Sequence, residues 1–305
     1  MKLIKYFIFI AVIFIAACGT ITQSNLLSKD NDIDVLFKDL NNMIYVSENQ
    51  ISPETMKLSV DIINSGDFNV DDGAIYFTDS HIGSGGIDGE VLHTFSIDPV
   101  YQDKNKVLHP SILNDENIGE YSYEFRNLLL GQETELNFNA RTVYDVTLND
   151  IFIDSVCIKE SNSKECKDKE AYIGSKIKNN RAPLMIDKIE KTINLGEEGI
   201  ANMNFDFHFT KLDRKSSIVN DISGSIEPDG GIVYFTAEIE NNELECSGLN
   251  YFGNEFRWDN SKTEGLLRCN VEIPVNEYSY SALNIDISYF YESIKSSSVK
   301  FIRRE

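Results

Sequence analysis

The chain has 305 residues, of which 42% are hydrophobic, 25% charged and 11% aromatic, and its formal net charge is −21. This composition is too apolar for an intrinsically disordered protein and too polar for a multi-pass membrane protein, and the length suggests two globular domains. The excess of carboxylates disfavours nucleic acid as a partner, because an acidic surface repels phosphate groups.

The first 17 residues are typical of an export signal. Lys2 and Lys5 form a basic segment, and an apolar run of 12 residues follows it. A helix of that length spans about 18 Å, short of a hydrocarbon core of about 30 Å, so we predict a cleaved signal peptide over residues 1–17. The small residues before Cys18 resemble the prokaryotic lipobox, which implies that Cys18 carries a diacylglycerol. The alternative is an ordinary cleavage site with an incidental cysteine.

Residues 18–31 are interpreted as a flexible, lipidated tether between this anchor and the folded part of the chain. We therefore expect an extracytoplasmic protein whose partner is the cell membrane, to which it is anchored by lipid. No later apolar run reaches 18 residues, so the sequence predicts no membrane-spanning helix.

Alternating apolar and polar residues predict antiparallel strands through the rest of the chain. A period of two with one apolar face is typical of strands that are buried on one side. The clearest runs, separated by turn signals, cover residues 56–62, 203–209, 267–273 and 283–291. The apolar residues of 33–44 also fit a helix face, but we assign Ile33–Lys38 to a strand. The predicted fold class is all-β.

One segment imitates a calcium-binding loop. The spacing Asp67-x-Asn69-x-Asp71 matches the start of an EF-hand. The later positions do not fit, because Asp72 replaces the glycine of the sharp turn and Thr78 replaces the bidentate glutamate. We interpret the segment as a solvated strand connection, and we expect no metal site and no cofactor. The alternative is a weak calcium site that is not of the EF-hand type.

The turn-rich stretch over residues 79–119 is longer than an ordinary connection, and such stretches are commonly functional loops or loosely ordered insertions. Its Gly-Ser-Gly-Gly run at 83–86 lacks the third glycine of a dinucleotide fingerprint, and His81, His93 and His109 have no metal-ligand spacing. The chain contains neither a Gly-x-Ser-x-Gly elbow nor a His-Glu-x-x-His helix. We therefore expect a protein that is not an enzyme.

An internal repeat indicates tandem domains. Residues 136–144 match residues 283–291 at an offset of 147 positions, and each copy is expected to be followed by a turn and a final strand. A solenoid repeat would be about 20–50 residues long. The predicted boundaries are a first domain over 32–158 with a long loop insertion, a linker over 159–182 and a second domain over 183–305.

Short motifs along the predicted mature chain carry a family resemblance. Asn64-Ser65-Gly66 followed by Asp72-Gly73-Ala74-Ile75-Tyr76-Phe77 resembles a strand junction of CARDB-type adhesion sandwiches. Val156-Cys157-Ile158, Cys166 and Ala182-Pro183 are similar to the junction between two such domains in archaeal secreted or lipid-anchored surface proteins, and Ile273-Pro274-Val275-Asn276 fits the same group. The resemblance implies two tandem Ig-like antiparallel β-sandwich domains rather than an activity. A bacterial lipoprotein is the alternative.

Four cysteines remain once Cys18 carries lipid, and an even number in an exported chain indicates disulfides. Of the three pairings we favour Cys157 with Cys166 and Cys246 with Cys269, because Cys246 and Cys269 share the parity of neighbouring apolar residues. The absence of a close cysteine pair disfavours zinc.

The aromatic residues Tyr251, Phe252, Phe256 and Trp258 lie in residues 250–265, which we predict to be irregular and pinned by the second disulfide. Loop aromatics stack on sugars or anchor protein partners, and the alternative is that they cap the core. We expect a lipid-anchored protein that works in cell-surface interaction, adhesion or envelope scaffolding, with a surface protein or glycan as partner. The alternative function is a carbohydrate- or solute-binding lipoprotein of the envelope.

Overall fold

The computed structural model describes residues 32–38, 43–47, 54–81, 86–123, 132–159, 164, 166–194, 198–225, 230–276 and 278–304. Within these ranges the chain forms nineteen strands and a 3-10 turn over Gly174–Lys176, with no α-helix. The strand predicted over Ile33–Lys38 is present. The all-β class is confirmed, and the stacked antiparallel sheets are consistent with a β-sandwich.

A nine-stranded sheet contains strands from both predicted domains. Its members are β2 (Met43–Ser47), β4 (Val70–Asp79), β5 (Val91–Ile97), β9 (Glu133–Lys159), β13 (Ser217–Val219), β14 (Gly231–Ile239), β15 (Asn242–Glu243), β17 (Glu255–Trp258) and β19 (Tyr278–Arg304). The main order is β15-β14-β19-β9-β4-β5, with β13 and β2 paired to β19 and β17 paired to β14. All of these pairs are antiparallel except that of β2 with β19.

The smaller sheets each draw on one half of the chain. The three-stranded sheet has the order β1 (Ile33–Lys38), β3 (Glu54–Asn64), β8 (Ser111–Tyr123). The five-stranded sheet has the order β10 (Lys169–Ile173), β11 (Leu184–Asn194), β12 (Ile200–Lys211), β18 (Glu264–Pro274), β16 (Glu245–Ser247). A separate hairpin consists of β6 (Tyr101–Gln102) and β7 (Leu108–His109).

The strands β9 and β19 form a spine that both halves share. Each strand has 27 residues, and the two pair antiparallel along nearly their whole length. At about 3.3 Å per residue, a strand of that length extends for roughly 85 Å. Tyr144 lies directly opposite Tyr291, with ring centroids 5.8 Å apart. Because these residues occupy equivalent places in the internal repeat, the pair marks a pseudo-twofold axis.

The two halves exchange segments of this spine. β4 pairs with the first part of β9, and β14 pairs with the first part of β19. The last part of β19, residues 292–302, pairs with residues 133–143 of β9, so the second half supplies a strand segment to the first. The turns expected after Tyr144 and Tyr291 are therefore wrong, because each chain segment continues straight into the other half, where β-ladder hydrogen bonds satisfy its backbone.

The core contains the apolar faces that the alternation predicts. The apolar residues of the four runs are buried, and the buried apolar side chains of both halves belong to one contiguous core. Phe37 of β1 meets Phe77 of β4 edge-on at 6.1 Å, and Phe207 of β12 meets Phe235 of β14 at 5.1 Å. The smaller sheets thus cover the same nine-stranded sheet from the first and second halves respectively.

Two segments expected to be irregular contain strands. Within residues 159–182, β10 pairs with β11 over five residues. Asp67 also forms a two-pronged ion pair with Arg181, with Nη2 2.6 Å from Oδ1, and this ties the segment to the β3–β4 connection. Residues 79–119 contain β5, the β6–β7 hairpin and most of β8, so sheet structure runs through the described part of this stretch.

Candidate functional site

The predicted lipidation site at Cys18 lies outside the described residues, which begin at Asp32. The backbone carbonyl of Asp32 accepts a hydrogen bond from the Ser65 N–H at 3.3 Å. Its carboxylate accepts one from the Ile33 N–H at 2.7 Å and another from the hydroxyl of Tyr144. The N-terminal segment therefore joins the folded body at the middle of the spine.

Burial changes the protonation of this junction. It raises the pKa of the Asp32 carboxyl from 3.8 to about 7, although the hydrogen bonds from Tyr144 and Ile33 and the charge of Lys295 oppose the rise. Burial also raises the pKa of the Tyr144 hydroxyl well above its ordinary value. The Asp32 carboxyl, with a pKa of about 7, therefore titrates near neutral pH.

Both disulfides have the favoured pairing. Cys246 and Cys269 lie directly opposite each other on β16 and β18. The other disulfide joins Cys157, near the end of β9, to Cys166, three residues before β10. The second bond therefore fastens the edge strand β16 to its neighbour β18, and the first fastens the chain before β10 to the spine strand β9.

Two buried lysines beside the first disulfide were not found by sequence reasoning. The Nζ of Lys191 donates to the Cys157 carbonyl at 2.9 Å and lies 3.3 Å from Glu170 Oε2, while Lys159 Nζ lies 2.7 Å from Asp168. Burial lowers the pKa of Lys191, and Glu170 opposes that effect. The contacts of Lys191 join β9, β10 and β11, and that of Lys159 joins β9 to the residue before β10, so the cluster fastens the predicted linker to the sheets.

The predicted aromatic surface is not assembled. Phe252 is 84% exposed, whereas Phe256 and Trp258 are buried in the core. The reason is that residues 255–258 form β17, whose pairing with β14 turns both side chains inward. Tyr251 is half-buried, and its hydroxyl donates to the Phe235 carbonyl at 3.4 Å. The alternation of Phe256 and Trp258 with polar neighbours was the signal for a strand here.

A groove in the first half lies beside an exposed aromatic side chain. It lies between β4, β5 and β8, beside the β6–β7 hairpin, and encloses about 560 Å³. Its polar lining includes Asn69, Asp71, Asp98 and Ser111, and Tyr101 stands at its rim. Asn69 Nδ2 donates to Asp71 Oδ1 at 2.6 Å. The groove presents carboxylate and amide oxygens that can accept hydrogen bonds from a polyhydroxylated solute.

The hairpin beside the groove covers residues 101–109 and is held by its own hydrogen bonds. The carboxylate of Asp103 accepts from the N–H groups of Asn105 at 2.9 Å and Val107 at 2.8 Å. The bond from Val107 is the main reason why the pKa of Asp103 is lowered. The ring of Tyr101 stacks on His109 with centroids 5.3 Å apart. The sequence did not predict this ordered, exposed hairpin, because it lies in a stretch that contains many turn residues.

The three residues of the calcium-like spacing do not form one cluster, because Asp67 has a partner different from that of Asn69 and Asp71. Asp67 is bound by Arg181, whereas Asp71 is bonded to Asn69. Within the described ranges, no group of three or more His, Cys, Asp or Glu side chains could hold a metal ion. Three described histidines each lie close to a carboxylate, and the three histidines are on separate strands. The pairs are His93 with Glu116, His109 with Asp103 and His208 with Glu190.

Among the described residues, no helix is long and apolar enough to cross a bilayer. Comparison of the chain with protein-family models and with curated proteins finds no match. Function is therefore inferred from the disulfides, the junction at Asp32, the groove and the hairpin.

Proposed function

We propose that this protein is a lipid-anchored extracytoplasmic interaction or scaffold protein without catalytic activity, built from two Ig-like halves. The observation that carries the proposal is the pairing of the four cysteines other than Cys18 into two disulfides, because structural disulfides persist in oxidising compartments. The signal-like N-terminus and Cys18 supply the means of export and anchoring.

The form of the molecule supports a scaffold role. A scaffold must keep its surfaces at fixed separations, and the spine joins both halves through one antiparallel ladder. The histidines of the described histidine–carboxylate pairs lie on strands of three different sheets, which favours separate ion pairs over a shared reaction centre. A surface protein or a glycan is the proposed partner class.

Metabolic labelling with an alkyne fatty acid in a bacterial host tests the anchor. The parent should incorporate label and sediment with membranes, whereas Cys18→Ala should lose both properties. Cys246→Ala is the matched control, because it removes a cysteine and leaves Cys18 in place. Unchanged labelling in Cys18→Ala would contradict the proposal.

The groove favours a second candidate, a carbohydrate- or solute-binding lipoprotein. Asp71 and Asp98 could accept hydrogen bonds from sugar hydroxyls while Tyr101 stacks on the ring. A glycan array with the purified mature chain tests this function. Binding should disappear in Asp98→Ala and persist in Asp88→Ala, since Asp88 is exposed and does not line the groove. An array on which nothing binds, or on which the two variants behave alike, would remove this candidate.

A further inference from the structure

The β6–β7 hairpin, residues 101–109, exposes apolar side chains in an acidic protein. Tyr101 is 58% exposed, Val107 48% and Leu108 39%. The register places Tyr101 with His109 on one face of the hairpin and Leu108 with Gln102 on the other, so apolar side chains are exposed on both faces. Exposed apolar groups in one short element are typical of sites where a protein meets a partner or a membrane. We call this element the apolar hairpin.

The apolar hairpin is ordered before it meets any partner. The Asp103 N–H donates to the Val107 carbonyl at 2.9 Å, and the Lys106 N–H donates to the Asp103 carbonyl at 3.0 Å. Gln102 Nε2 donates to the Lys106 carbonyl at 3.1 Å. A turn closed in this way loses little conformational entropy when it docks, so its exposed side chains can contribute most of their transfer free energy.

The turn also carries positive charge where the chain as a whole is negative. Lys104 and Lys106 are exposed on the turn, and Asp103 lies 3.3 Å from His109. Residues 101–109 contain these two lysines and one carboxylate, a formal charge of +1, whereas the whole chain has a formal charge of −21. Lysines flanking aromatic and aliphatic groups match an anionic bilayer surface, where headgroups attract the ammonium groups and the apolar side chains enter the interface.

The hairpin lies beside the point where the N-terminal segment enters the fold. The Ser65 N–H donates to the Asp32 carbonyl at 3.3 Å, and the Val100 N–H donates to the carbonyl of Gly66 at 3.0 Å. The start of the described chain and the base of the hairpin thus bond to adjacent residues. Asn64 strengthens this connection, since its Nδ2 donates to the Asp98 carbonyl at 3.0 Å.

We propose that the apolar hairpin is a second membrane contact, in which Tyr101, Val107 and Leu108 enter the interface of an anionic bilayer and the two lysines pair with lipid phosphates. The proposal rests on the proposed lipid anchor, because an anchor on Cys18, 14 residues before Asp32 in the sequence, would hold the hairpin near the bilayer. Two contacts at neighbouring points would fix the orientation of the spine relative to the membrane.

Vesicle binding tests the hairpin separately from lipidation. The mature chain with Cys18→Ser carries no lipid but contains every described residue. It is mixed with one of two kinds of vesicle. The anionic vesicles contain phosphatidylglycerol and phosphatidylethanolamine, and the neutral vesicles contain phosphatidylcholine alone. The double variant Tyr101→Ser and Leu108→Ser should bind the anionic vesicles at least tenfold more weakly than the parent does, as measured by co-flotation. Lys104→Gln and Lys106→Gln should each weaken binding to the anionic vesicles about fivefold and leave binding to phosphatidylcholine nearly unchanged. Circular dichroism should show unchanged folding in each variant.

Phe252→Ser is the matched control, because Phe252 is the more exposed aromatic residue and lies in the second half. It should bind vesicles as the parent does. The proposal is overturned if the parent does not bind either vesicle, if the hairpin variants bind as the parent does, or if Phe252→Ser weakens binding equally. It is also overturned if sedimentation shows that the hairpin variants dissociate a dimer while vesicle binding stays the same. A failure of Cys18 labelling alone would not change these vesicle results.

Discussion

Tyrosine hydroxyls occupy the core at the middle of the spine, and each has a hydrogen-bond partner. Tyr144 donates to Asp32, Tyr291 bonds to Ser216, and Tyr289 accepts from the Leu184 N–H at 2.8 Å. A buried hydroxyl without a partner costs free energy, so satisfied hydroxyls restrict how the surrounding elements can meet. These contacts join the N-terminal segment, β11 and the loop before β13 to the two spine strands.

Stability at this junction should depend on pH. The raised pKa of Asp32 means that the folded state holds its proton more tightly than the unfolded state does. The resulting stabilisation is present below pH 3.8 and is lost as the pH rises through about 7. This group should therefore reduce the free energy of unfolding by roughly 2–3 kcal/mol between pH 5 and pH 8.

Urea denaturation at the two pH values, with Asp32→Asn beside the parent, measures this contribution. The amide keeps an acceptor for Tyr144 but does not ionise, so the variant should lose less stability than the parent as the pH rises. Equal losses in the two proteins would mean that Asp32 does not titrate in this range.

Trp258 should contribute to stability and not to surface recognition. Its ring is buried and lies against Gly265, where an added Cβ would be 2.7 Å from the nearest ring atom. Trp258→Ala should lower the free energy of unfolding by about 3–5 kcal/mol. Phe252→Ala, at an exposed position in the same segment, should change it by less than about 0.5 kcal/mol. Similar small effects of both substitutions in denaturant titrations would contradict the placement of Trp258.

At the scale of elements, the two disulfides close loops of different length. The bonded cysteines are 9 residues apart in the first disulfide and 23 in the second. The chain-entropy model gives stabilisations of about 2.7 and 3.4 kcal/mol respectively. Replacing both cysteines of a pair by alanine should lower the free energy of unfolding by about these amounts in guanidinium titrations. An unfolding midpoint that stays the same after removal of either disulfide would refute this role.

The strands themselves could be predicted because alternation is a local property. The side chains of residues 203–209 and 283–291 point alternately to the core and away from it whatever strand lies beside them. The same reasoning would have found β17, where Phe256 and Trp258 alternate with polar residues. Reliance on the aromatic content of that segment, instead of its period, produced the wrong surface site.

Pairing partners could not be predicted in the same way, because they join residues far apart in the sequence. Nothing local in residues 145–159 says that they pair with residues 278–290 and not with a strand of their own half. The internal repeat located Tyr144 and Tyr291 as equivalent residues but did not reveal that they are neighbours. The burial of Lys191 could not be predicted for the same reason, because the Cys157 carbonyl that accepts its hydrogen bond lies 34 residues away in the sequence.

At the scale of the whole molecule, the spine makes the halves depend on each other. The last part of β19 completes the sheet of the first half, and the core is contiguous across the pseudo-twofold axis. Two independent tandem domains would have separate cores and separate unfolding transitions. We therefore expect the described structure to unfold as one cooperative unit, although the chain is long for two-state behaviour.

Fluorescence of Trp258, the one tryptophan of the chain, tests this dependence most directly. Trp258 is buried in the second half, whereas Phe77 is fully buried in the first half on β4. Phe77→Ala should shift the unfolding transition seen by Trp258 by about 3–5 kcal/mol, in step with circular dichroism, because the halves unfold together. Leu92→Ala, an exposed change on neighbouring β5, should leave it in place. A Trp258 transition that is unmoved by Phe77→Ala, with a separate earlier transition in circular dichroism, would contradict the shared spine.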